Sequence, residues 1–183
     1  MAASSTPLER GKRAPDFALP GTDGRTWKRT DVVGPKGLVV AFICNHCPYV
    51  LAVADRIVKE AKALRELGVG FVAISSNDAA AYPEDAFDRM PEFALRHGFD
   101  FPYLYDESQD VARAYGAVCT PDFFGFDADG QLQYRGRLDA SGRQPAAPDT
   151  KRELYEAMKQ VAAAGRGPDE QIASIGCSIK WRV

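Results

Sequence analysis

The run Leu38-Val39-Val40-Ala41-Phe42-Ile43 passes without a break into Cys44-Asn45-His46-Cys47-Pro48. A continuous apolar run of this kind, without alternation, marks a strand covered on both faces. Pro48 opens a stretch to Leu67 in which Val50, Leu51, Ala54, Ile57, Val58, Ala61 and Leu64 fall on one helical face. Pro is at home in a first helical turn, where its missing N–H has no partner to lose. Gly68 supplies the usual C-terminal stop. A buried strand that feeds a helix and needs cover on both sides commits the chain to a layered α/β architecture.

The rest of the chain extends that frame. Residues 14–20 and Thr26-Trp27 flank Thr22-Asp23-Gly24-Arg25, a hairpin turn chemistry. Residues 69–75 read as a second buried strand. A helix is expected from Pro83 to Gly98, kinked at Pro91. A short strand at Tyr103-Leu104 and a helix over 107–115 follow. Two apolar runs, 123–126 and 132–135, flank Asp127-Ala128-Asp129-Gly130 as an antiparallel hairpin, and Thr150 caps a last helix to about Ala164. The order β-β-β-α-β-α-β-α-β-β-α predicts one three-layer α/β domain over residues 1–183 with a central mixed β-sheet and an N-terminal β-hairpin extension. Residues 1–13 are expected to be flexible, and 165–183 an irregular C-terminal tail.

Composition excludes several functions. With 23 Lys and Arg against 25 Asp and Glu, net charge −2, and no basic cluster, there is no electrostatic case for nucleic acid or an anionic membrane surface. No run approaches the roughly 20 apolar residues of a membrane helix. The polar N-terminus lacks the apolar centre of a secretory signal, so a cytoplasmic location is expected. Four cysteines are too few for a disulfide scaffold. In a reducing compartment, paired cysteines point to catalysis or to metal.

Cys44 and Cys47 can close a small disulfide ring where strand turns into helix. The free N–H groups of a helix start favour a thiolate there, and His46 can add positive charge. Asn45 and Pro48 complete the turn. A metal-binding module using Cys44, His46, Cys47 and Cys119 is the alternative, but no second C-x-x-C or H-x-x-x-H stands in the chain. The redox reading therefore leads, with no metal and no cofactor. Cys119 and Cys177 are left as candidate auxiliary thiols, the latter if the tail folds back to this end of the molecule.

Ala14-Pro15-Asp16-Phe17, the strand into Cys44-Asn45-His46-Cys47-Pro48, and Val118-Cys119-Thr120-Pro121-Asp122 with Phe126-Asp127 and Gly130 resemble the redoxin family. This is the alkyl hydroperoxide reductase/thiol-specific antioxidant branch of the thioredoxin-like superfamily. Gly176-Cys177-Ser178-Ile179-Lys180-Trp181 is similar to the tail of an uncharacterised bacterial thioredoxin-like subgroup. The resemblance implies a thioredoxin fold with a cis-proline at Thr120-Pro121 facing the cysteines. It also implies Cys44 as the exposed attacking thiol and Cys47 as the buried resolving one. The implied activity is thiol–disulfide oxidoreduction, with protein or small-molecule disulfides and a reducing partner as reactants; the oligomeric state stays open. The chain departs from the peroxiredoxin pattern P-x-x-x-T/S-x-x-C, aligned on Cys47, because Val40 and Cys44 stand at its Pro and Thr/Ser positions. A peroxiredoxin-like thiol peroxidase with Cys47 peroxidatic and Arg137 as charge partner is the runner-up.

Overall fold

A computed structural model describes residues 1–183. Strand β1 (Ala2–Ser4) comes first, then the hairpin β2 (Ala18–Pro20) and β3 (Thr26–Lys28). Gly24 turns this hairpin at φ +80°, a conformation that costs glycine little. A short helix α1 (Arg29–Val32) leads to β4 (Gly37–Phe42). After the cysteine turn come α2 (Pro48–Leu51), α3 (Ala54–Glu66) and β5 (Val69–Ser75). Then follow α4 (Met90–His97), β6 (Tyr103–Tyr105) and α5 (Asp110–Tyr115). The chain continues through β7 (Cys119–Thr120), β8 (Asp122–Phe126) and β9 (Leu132–Gly136) to α6 (Glu153–Ala164) and β10 (Ile175–Ser178).

The central sheet has the order β6-β5-β4-β8-β9. Strand β4 runs parallel to β5 with Val40 opposite Val72, and antiparallel to β8 with Val40 opposite Phe124. Every residue of β4 is buried, as its unbroken apolar run requires. Successive side chains of a strand point to opposite faces. Val39, Ala41 and Ile43 therefore pack against Ile57 and Leu64 of α3 and Met158 of α6, while Leu38, Val40 and Phe42 pack with Phe17, Tyr115 and Leu132 on the other side. Each fully buried Leu, Ile or Phe contributes about 1.5–3 kcal/mol, so both layers hold β4, and with it the turn that follows. This is the mixed-sheet thioredoxin fold with its N-terminal hairpin.

Several local expectations change. The helix expected from Pro48 to Leu67 is broken at Ala52-Val53, where Val53 takes φ −119°. Pro91 sits in the first turn of α4, where it starts the helix; the chain from Pro83 to Arg89 forms two 3-10 turns instead. The N-terminal segment, expected to be flexible, contributes a strand: Ala3 lies opposite Gly176, and Ser5 N–H donates to Ser174 O at 2.9 Å. The tail is irregular to Ser174 and then forms β10, which lies between β1 and β7. No helix is long and apolar enough to cross a membrane.

Candidate active site

Strand β4 ends at Phe42, and the next residues carry the two cysteines into α2, whose N-cap is Cys47. The Thr120–Pro121 peptide bond, which is cis, stands opposite them between β7 and β8. Thr120 touches both sulfurs. Its hydroxyl lies 3.6 Å from Cys44 Sγ, and its carbonyl lies 3.2 Å from Cys47 Sγ.

The two thiols are in hydrogen-bond contact and polarise each other in opposite senses. Cys44 is held well above the ordinary thiol range, first because its S–H donates to Cys47, then by burial and by the negative charge of Asp85. Cys47 is pulled down to about 4, first by that hydrogen bond and then, against burial, by Cys177 and Thr120 beside it. The Thr120 carbonyl accepts from Cys47 only in its thiol form and so opposes ionisation. Cys47 is thus the better thiolate of the two. The expectation of an exposed Cys44 is not met. Both residues are in fact 0% exposed.

His46 is held by Asp85 and Tyr82. Its Nδ1 meets Asp85 Oδ2 at 2.6 Å and its ring stacks on Tyr82. Asp85, fully buried, was not foreseen from sequence and organises the turn. Its Oδ1 accepts from the N–H groups of Asn45 and His46 at 2.8 and 3.2 Å, and its Oδ2 accepts from Asn77 Nδ2 at 2.7 Å. Asn45 is fixed further by Tyr103, whose hydroxyl donates to Asn45 Oδ1 at 2.9 Å. Tyr103 is buried, so it supports the turn and lines no groove. Asp85 lies 40 residues from Asn45 in a polar connection, and no spacing rule links the two.

Cys44 Sγ, a His46 nitrogen and an Asp85 oxygen lie within 4.8 Å of one another. That grouping could close on a metal ion, but both Asp85 oxygens are already taken by hydrogen bonds from the turn, so the geometry is accounted for without one. Cys119 is buried, and burial raises its thiol far above the ordinary range. Arg137 is engaged bidentately by Glu153, at 2.6 and 3.0 Å, and is not a charge partner for Cys47.

The sequence profile of the AhpC/TSA family matches residues 10–135. A crystal structure of a conserved protein from Geobacillus kaustophilus is 46% identical, with a TM-score of 0.93 over 100% of this chain and 97% of that one. The thiol-disulfide oxidoreductase ResA of Bacillus thuringiensis subsp. konkukian is 24% identical over 84% of this chain and 79% of its own length. A Mycobacterium tuberculosis protein named as a peroxiredoxin is 27% identical over 76% of this chain and 83% of its own.

Proposed function

Because the chain belongs to the AhpC/TSA family, we propose that it is a thiol–disulfide oxidoreductase in which Cys47 attacks and Cys44 resolves. The seat of Cys47 at the start of α2, facing the Thr120 carbonyl and with its thiol held low, carries this reading. The Cys47 thiolate attacks one sulfur of a substrate disulfide; a Cys47–substrate disulfide forms and the other substrate sulfur leaves as a thiolate. That step removes the negative charge on Cys47 and its capacity to accept from Cys44. The largest influence holding the Cys44 proton is then gone. Cys44 ionises, attacks Cys47 Sγ, and releases the second substrate thiolate, leaving a Cys44–Cys47 disulfide. A dithiol reductant returns the pair to its starting state. A reducing cytoplasm would supply such a partner.

The test is insulin reduction driven by dithiothreitol. Cys47→Ser should abolish turnover and form no mixed disulfide. Cys44→Ser should lose turnover by about a hundredfold while Cys47 ends in a disulfide with another thiol. Full turnover in either variant refutes the mechanism.

A thiol peroxidase reading is favoured by one observation, the lowered Cys47 thiol at the family's peroxidatic position. Against it stand Val40 and Cys44 where that chemistry places Pro and Thr or Ser, and Arg137 tied to Glu153. Stopped-flow kinetics separate the two: the oxidoreductase consumes hydrogen peroxide slowly, the peroxidase quickly.

A further inference from the structure

The Cys44–Cys47 pair is covered by the chain's own C-terminus. Strand β10 lies antiparallel on β7, with Cys177 opposite Thr120 and Ser178 opposite Cys119. Directly opposed residues of an antiparallel pair share a face. The Cys177 side chain is therefore on the face from which Thr120 touches Cys44, and it packs into the core cluster that holds both active thiols. Gly176 brings the strand this close: a Cβ there would stand 2.0 Å from Thr120 O. An extended segment paired to the residues before Pro121, presenting a sulfur to Cys47, has the form of a disulfide substrate held in the site.

Resting on the reading of Cys44 and Cys47 as the redox pair, we propose that β10 is a tethered substrate strand and Cys177 the third thiol of the site, exchanging with Cys47 through a Cys47–Cys177 disulfide. When Cys47 carries a mixed disulfide, Cys177 loses its proton to solvent and attacks Cys47 Sγ. The Cys47–Cys177 bond forms, and the substrate sulfur leaves as a thiolate. From the oxidised pair, the same attack breaks the Cys44–Cys47 bond and returns Cys44 to the thiol state, with no net oxidation. The two-residue ladder to β7 is short enough to open for an outside substrate. The anchors beyond it keep the strand nearby: Lys180 N–H donates to Asn77 Oδ1 at 2.9 Å, Gln109 Nε2 to Lys180 O at 2.8 Å, and Arg182 N–H to Gln109 Oε1 at 2.9 Å.

The experiment treats the full-length reduced protein with one equivalent of dithionitrobenzoate, an aromatic disulfide that releases a yellow thiol, followed by disulfide mapping by mass spectrometry. The Cys44→Ser protein should release two yellow thiols per chain and end with a Cys47–Cys177 disulfide. The Cys44→Ser/Cys177→Ser protein should release one and keep the reagent on Cys47. A single release from Cys44→Ser, with Cys177 free, overturns the proposal. If wild type forms no Cys44–Cys47 disulfide while Cys44→Ser still gives two releases, the redox pair is wrong and the Cys177 exchange stands. Gly176→Ala, which lifts the strand without touching a thiol, should speed the reaction of Cys47 about tenfold, equivalent to about 1.4 kcal/mol of docking. An unchanged rate in a folded Gly176→Ala protein means that β10 does not guard the site.

Discussion

Replacing Cys47 with Ser and following stability against pH reads the thiolate directly. Cys47 is held down to about 4 by its hydrogen bond with Cys44 before all else, whereas an unfolded thiol ionises near about 8.5. A folded value below the unfolded one gives a stabilisation that is complete above about 8.5 and disappears as pH falls through 4. Within that window unfolding takes up a proton, and stability climbs by about 1.4 kcal/mol per pH unit. From about pH 6 to about pH 8 the gain is roughly 2–3 kcal/mol, after subtracting the unfolded thiol already ionised at the upper end. Solvent screening that halved the shift would still leave about 2 kcal/mol. Either figure is a large part of the roughly 5–15 kcal/mol that holds a typical domain together. Urea unfolding in a phosphine reductant, on wild type, Cys47→Ser and Cys44→Ser, isolates it, because groups that do not touch Cys47 cancel in the difference and Cys44, which does, ionises above this window. Wild type should gain about 2–3 kcal/mol relative to Cys47→Ser across the window. Cys44→Ser should keep most of the slope, since a hydroxyl can still donate to Cys47. If Cys44→Ser loses the slope and Cys47→Ser keeps it, the attacking thiolate is Cys44 and the roles assigned above are inverted.

Two buried carboxylates give further outcomes. Asp85→Asn sets an NH₂ against the donors of the cysteine turn and should cost about 3–5 kcal/mol in urea unfolding. It should also lower the Cys44 thiol, because the Asp85 charge that helps raise it is gone; thiolate absorbance in the ultraviolet measures this, and an unchanged titration refutes the electrostatic link. Asp122, with Oδ1 unpartnered and Arg135 at 3.3 Å, is pushed up to about 6 by burial. Its folded value lies above the unfolded value of about 3.9, so its contribution is full below about 3.9 and lost as pH rises through 6. Relative to Asp122→Asn, wild type should lose about 3 kcal/mol between about pH 3 and about pH 8; a flat difference would mean that the carboxyl titrates normally.

The parts of the molecule that could be read from sequence are those whose signal is local. The apolar run of β4, the one-sided face of the helix after Pro48 and the glycine that ends it are each contained in a few turns of chain. Strands β1 and β10 are not legible in this way. Ala2, Ala3 and Ser4 have little intrinsic preference for a strand, and they form one because Cys177, Gly176 and Ile175 lie opposite them. Which of the two cysteines attacks is not legible for the same reason. A helix start favours a thiolate near it but cannot choose between two sulfurs. The surroundings that could choose include residues 120 and 177, far away in the chain. Asp85 and Asn77, which fix the turn, belong to a polar connection that any surface loop could resemble.

The docked tail and the cysteine turn share one hydrogen-bond chain, and this constrains how the site can work. Lys180 N–H donates to Asn77 Oδ1, Asn77 Nδ2 donates to Asp85 Oδ2, and Asp85 Oδ1 accepts from the amides of Asn45 and His46. Residues 175–178 can therefore leave β7 without releasing the turn, because the tie lies beyond them at Lys180. When they leave, Cys47 loses the influence of Cys177 but keeps that of Cys44. A thiolate with fewer donors is more basic, and a more basic thiolate is intrinsically the better nucleophile. The docked state thus favours a stable, covered thiolate, and the opened state a more reactive one. The same movement that admits a substrate disulfide raises the nucleophilicity of the sulfur that meets it.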